Sequence, residues 1–114
     1  MSKDLSISVL MDFYGELLTD KQRDTLDLYY NRDYSLAEIA ENLDISRQGV
    51  RDFIKRGEKQ LREFEDKLGM VKKYNGITAE IENLEHLVEA NKTVVARSFT
   101  DAAAEILKRI KKEL

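Results

Sequence analysis

The chain has 114 residues, of which 36% are charged and 8% aromatic, and it contains no proline and no cysteine. That length suits one compact domain with a modest core, and the lack of cysteine excludes both a disulfide framework and a thiolate metal site. No apolar run approaches the ~18 residues of a membrane span, and the opening MSKDLSIS is no signal peptide, so the reading is a cytoplasmic protein. The Glu, Lys, Leu and Arg supply, without proline to break it, predicts an all-α fold.

The formal net charge is −3, which counts against simple nucleic-acid binding. Its distribution softens that. Residues 1–34 carry 4 basic and 7 acidic side chains, residues 35–62 carry 6 and 5, and residues 63–114 carry 9 and 10. In the middle segment every basic residue lies at Arg47 or beyond, while Glu38 and Glu41 precede it. Backbone attraction is the sequence-independent part of DNA binding, so such a chain is expected to bind DNA weakly without help from base contacts.

In chain order, residues 4–18 place Leu5, Val9, Leu10, Phe13, Tyr14, Leu17 and Leu18 at helical spacing. Thr19-Asp20-Lys21-Gln22 has the form of a capping box, and a second helix follows to about Tyr30, with Leu26, Tyr29 and Tyr30 inward. Ser35-Leu36-Ala37-Glu38 is a second capping box, with Tyr34 and Ile39 placed as a hydrophobic staple. Leu36, Ile39, Ala40 and Leu43 make one apolar face. Asp44-Ile45 is then a turn, and Ser46 caps a long helix. Val50, Ile54, Leu61, Phe64 and Leu68, with Gly57 in the series, recur at heptad spacing, and Gly69 suits the helix end. Gly57 on that stripe predicts a close helix approach; Gly49 has no such explanation. The excess of apolar side chains along Val50–Leu68 and Ile77–Val88 predicts self-association as a homodimer.

A short joint is expected from Gly69 to Gly76, followed by helix on Ile77, Ile81, Leu84 and Val88. No proline or glycine follows Gly76, so one helix could run to the end. A break is nevertheless favoured between Asn91 and Phe99, with Ser98 or Thr100 as the next cap. The domain reading is therefore residues 1–68 as a helix-turn-helix domain, its motif at 35–61, and residues 69–114 as a helical extension for packing or dimerisation.

Two short helices joined by a turn of about three residues form the unit that lays its second helix in a DNA major groove. On that reading Arg47, Gln48 and Arg51 face bases, since arginine pairs with guanine and glutamine with adenine in that groove. Ser35, Ser46, Lys55, Arg56 and Lys59 are the candidates for phosphate contacts. A solvated helix face is the plainer reading of the same charges. Tyr29, Tyr30 and Tyr34 have faces that stack on bases, but at helical spacing they read as core. His86 among Glu82, Glu85 and Glu89 reads as surface, and the paired carboxylates as a solvated face, because acid–base work needs a pocket that shifts pKa values. No nucleophile motif, glycine-rich phosphate loop or metal spacing occurs, so neither an enzyme nor a cofactor is expected.

LTDKQRDTLDLYY (Leu18–Tyr30) followed by YSLAEIAENLDISRQGVRDFIKRGEKQL (Tyr34–Leu61) resembles region 4 of bacterial sigma factors. More closely, the chain is similar to the YlxM-type (UPF0122) family of small helix-turn-helix proteins, over about Phe13 to Leu68. The resemblance implies an all-helical, sigma-region-4-like protein with a regulatory role. It also implies a part in the signal recognition particle pathway, either as that regulator or as an adaptor docking a protein or ribonucleoprotein component of the particle. Matched by position, the promoter-reading residues of sigma region 4 fall on Arg47, Gln48 and Arg51. The chain departs from the pattern at Asp52, where sigma factors often have glutamine, and at Gly49 and Arg51, where close relatives usually carry alanine and tyrosine.

Overall fold

In the computed structural model, which describes residues 3–114, these start and stop signals become six α-helices, with no strand among the described residues. They are α1 (Ser6–Tyr14), α2 (Asp20–Tyr30), α3 (Leu36–Leu43), α4 (Arg47–Leu68), α5 (Met70–Ala90) and α6 (Arg97–Glu113). The all-α class and the helix-turn-helix order expected from the caps are both observed. Two compact units divide the chain, Met1–Val71 and Lys72–Leu114.

In the first unit the heptad side of α4 is the floor on which α1, α2 and α3 pack. Val50, Ile54 and Leu61 are fully buried there, together with Ile7, Tyr14, Leu26 and Ile39. Burying side chains of this kind contributes about 1.5–3 kcal/mol each. Gly57 is buried where α4 crosses α2: a Cβ built on it would lie 2.8 Å from Leu26 Cδ1. The close approach expected of this glycine is what the structure has. Phe64 is half-buried and Leu68 exposed, so most of the α4 heptad is consumed inside its own unit.

Three boundaries differ from the expectation. The first helix ends at Tyr14 instead of running to residue 18, and a 3-10 turn occupies Gly15–Leu17. Leu18 and Thr19 must be extended, because Thr19 takes the cap conformation and accepts the Gln22 amide. The joint expected at Gly69 to Gly76 shrinks to one residue. Gly69 adopts the left-handed conformation (φ 60°, ψ 27°) and α5 begins at the next residue, with Gly76 inside it. The orphan amides of Met70 and Val71 are met by Tyr14 Oη at 3.1 Å and Glu65 Oε1 at 3.0 Å, which removes the need for a loop. The break before α6 is present, but neither Ser98 nor Thr100 caps it. Ala96 stands at the cap with no side-chain bond, and Thr100 is buried within the helix, its hydroxyl donating to the Arg97 carbonyl. Asn91 closes α5 instead, its Nδ2 donating to the Leu87 carbonyl at 2.8 Å.

In the second unit α5 and α6 run antiparallel as a hairpin, with Ile81, Thr100 and Leu107 buried. Lys111 and Glu85 join the two helices at 3.5 Å. No helix among the described residues is long and apolar enough to cross a membrane.

Candidate nucleic-acid interface

The helix pair is held in register by its own polar side chains. Ser35 Oγ accepts the Glu38 amide and Glu38 Oε1 accepts the Ser35 amide, each at 3.1 Å, completing a capping box on α3. Tyr34 and Ile39 both belong to the core packing beside it. The helix stops where Asp44 turns left-handed (φ 56°, ψ 46°), a conformation that aspartate tolerates better than most side chains. The Ile45 amide then donates to the Ala40 carbonyl at 3.1 Å. Asp44, Ile45 and Ser46 thus make the turn, and Ser46 Oγ opens α4 by accepting the Gly49 amide at 3.0 Å. A Cβ on Gly49 would sit 3.2 Å from that Oγ and 3.6 Å from Ile45 Cδ1, so a side chain here would press on the cap by a few tenths of an ångström. Sequence reasoning had no reason for Gly49; the crowding arises only once the turn is folded.

Past the cap, α4 presents a mainly polar face. Arg47, Gln48, Asp52, Lys55, Arg56 and Lys59 are exposed. Arg47, in the first turn, has no acidic neighbour there. Its charge adds to the positive end of the helix dipole, a mildly destabilising arrangement that an anionic ligand would relieve. Gln48 Nε2 donates to Asp52 Oδ1 at 2.9 Å, which fixes one end of the amide and places a carboxylate on the face. Arg56 lies over the Phe53 ring at 5.6 Å, and Lys21 of α2 approaches the same ring at 6.0 Å. Arg47, Lys55, Arg56 and Lys59 hold no ion pair among the described residues.

Two arginines are placed differently from these. Arg51 is half-buried, and its Nε is buried without a hydrogen-bond partner among the described residues. Arg62, on the same flank, reaches back to Asp4 at 3.1 Å and to Glu58 at 3.9 Å, linking the residues before α1 to α4. Ser35 and Ser46 are exposed cap residues whose hydroxyl oxygens are already engaged as acceptors, leaving their O–H free to donate outward.

Below the face, two tyrosine–glutamate pairs lock α4. Tyr30 donates to Glu58, and Tyr14 donates to Glu65 at 2.5 Å. Burial, then the hydrogen bond and charge of Glu58, push the Tyr30 hydroxyl above its usual range, and burial and Glu65 do the same at Tyr14. These pairs join residues far apart in sequence, so no local signal could have announced them. Among the described residues no group of three or more His, Cys, Asp or Glu is placed to hold a metal ion.

A capped helix, a three-residue turn begun by left-handed Asp44 and a second capped helix opening with Arg-Gln define a helix-turn-helix, and the family model described as "Putative helix-turn-helix protein, YlxM / p13 like" (UPF0122) matches residues 1–100. The chain belongs to this family. A UPF0122 protein of Acetivibrio thermocellus is 46% identical over 114 residues, covering 100% of this chain and 95% of its own. One from Clostridium kluyveri is 44% identical over 111 residues, 97% of this chain and 94% of its own. Another, from Caldanaerobacter subterraneus, is 52% identical over 84 residues, 74% of this chain and 72% of its own. The UPF0122 match extends to residue 100 and so covers α5 as well as the helix pair, further than the motifs read in the sequence reached.

Proposed function

We propose that this protein is a DNA-binding regulator that inserts the first two turns of α4 in a major groove. The observation that carries the reading is the start of α4. Exposed Arg47 and Gln48 sit directly after the capped turn, and a strip of unpaired cations follows on an otherwise acidic chain. Arg47 and Gln48 are assigned to base edges, where a bidentate pair discriminates by about 1–3 kcal/mol. Arg51 joins them from the flank. Ser35, Ser46, Lys55, Arg56 and Lys59 are assigned to phosphates, setting the register of the helix on the duplex.

Binding measured as a function of salt tests this directly. Affinity should fall with a log–log slope of ~0.9 per phosphate contacted, and Lys55→Ala and Lys59→Ala should each flatten it by about one contact. Arg47→Ala should weaken binding to a preferred site more than to unrelated duplex. A slope unchanged by both lysine variants would remove the assignment.

Asp52 supports a second reading. A carboxylate in the middle of the strip, bonded to Gln48, repels phosphate but suits a basic protein surface. In that case α4 docks a protein or ribonucleoprotein component of the signal recognition particle. Purified particle components would then bind through α4 and no duplex would compete.

A further inference from the structure

The second unit leaves most of its apolar side chains uncovered. Ile77, Leu84, Leu87, Phe99, Ile106 and Ile110 keep between 40% and 62% of their surface in solvent. They are not scattered. Ile77, Ile81, Leu84, Leu107 and Ile110 line a cleft of ≈ 420 Å³, and Leu84 also lines a second of ≈ 230 Å³ that continues past Val88 to Phe99. An almost wholly apolar trough therefore runs along the α5–α6 hairpin. Soluble monomers rarely leave such a patch open, and two helices cannot bury an apolar face of each without a further layer.

The charges around the trough say what fits it. From Asn75 to Ala90, α5 carries four glutamates and no lysine or arginine. From Lys108 to Lys112, α6 carries four basic residues and no acidic one. A partner for this face must offer an apolar seam with acid opposite the basic helix and base opposite the acidic one. The hairpin itself has that pattern.

We propose that a second copy of this chain closes the trough, building a four-helix bundle about a twofold axis parallel to the helices. Such an axis lays α5 of each copy across α6 of the other. A twofold perpendicular to the helices and in the plane of contact would instead set α5 on α5 and α6 on α6, glutamate against glutamate and lysine against lysine. With the axis along the helices, height along the bundle is preserved. Glu80 borders the cleft at the level of Ile77 and Ile110, and Arg109 and Lys112 flank Ile110, outnumbering Glu113, which lines the same recess. Each copy's Glu80 therefore meets the Arg109–Lys112 pair of the other. None of these three residues has an ion pair among the described residues, and all are exposed. This is an isologous contact, self-complementary as a twofold requires.

Sedimentation equilibrium on the full chain, without nucleic acid, tests the proposal. The wild type is expected to be a dimer. Leu84→Lys, at a position already 47% exposed, should give a monomer with unchanged helix content by circular dichroism. Glu80→Arg alone, and Arg109→Glu/Lys112→Glu together, should each weaken the dimer by roughly tenfold or more, since like charges are then opposed. Combining all three substitutions should restore most of the loss. A monomeric wild type, a dimer that survives Leu84→Lys, or a combined variant no tighter than its parents would overturn it. The result does not depend on whether α4 binds DNA.

Discussion

Arg51, proposed to face bases, is held at a cost to the fold. Its Nε is buried without a hydrogen-bond partner among the described residues, and leaving a buried donor unsatisfied costs about 1–3 kcal/mol. Methionine keeps an unbranched apolar stem and removes the donor. Arg51→Met is therefore expected to unfold at the same temperature as the wild type or a higher one, while binding DNA more weakly. Thermal denaturation and a binding titration on the same preparation check both halves. A clear loss of stability would mean that the guanidinium is structural. Asp44 is a simpler case. In the left-handed region a side chain costs about 1–2 kcal/mol, so Asp44→Gly should stabilise the turn and Asp44→Val should destabilise it. Denaturant midpoints distinguish the two.

At the scale of elements, the fold is organised by how α4 is held. Gly57 admits α2, and Gly57→Leu should cost about 2–3 kcal/mol by forcing the helices apart over Leu26. The tyrosine pairs add a pH signature. Tyr14 and Tyr30 both have hydroxyls raised above the ordinary value of 10.0, so their contribution is complete below pH 10.0 and is lost as pH rises through the folded values. Acid acts on the other side. Asp4 is lowered below 3.8, first by the Ser6 hydroxyl, then by the Ser6 amide and Arg62, so its stabilisation holds above 3.8 and fades as pH falls through the folded value. Unfolding followed by circular dichroism should show both limits. Tyr30→Phe should blunt the alkaline one, and an alkaline limb unchanged in Tyr30→Phe would contradict the lock. Elements fixed by neighbours in sequence were legible from the residues: Ser35 with Glu38, Ser46 as the cap of α4, and the heptad of α4. What was not legible depends on distance. The single-residue joint at Gly69 needs Tyr14 and Glu65 to satisfy Met70 and Val71, and Arg62 is claimed by Asp4, 58 residues away. In the candidate interface the exposed Arg47, Gln48, Lys55, Arg56 and Lys59 follow from helical spacing. The half-burial of Arg51 does not, because it depends on the packing around α4.

For the molecule as a whole, charge decides what kind of DNA binding is possible. A chain of net charge −3 cannot hold DNA by general attraction, so whatever affinity it has must come from the local cations of α4 and from base contacts. The dimer proposed through the α5–α6 hairpin would add to this, because a twofold protein reads two half-sites about one helical turn, ~34 Å, apart or a multiple of it. The apolar excess noticed along the sequence was real, but α4 spends its share internally and the unsatisfied part lies on α5 and α6. Selection of bound duplexes from a random pool at moderate salt, run beside the Arg47→Ala/Arg51→Ala variant, tests the account most directly. It predicts an enriched motif with two-fold symmetry that disappears in the variant. A pool that stays unenriched, or a motif that the variant selects equally well, would contradict it.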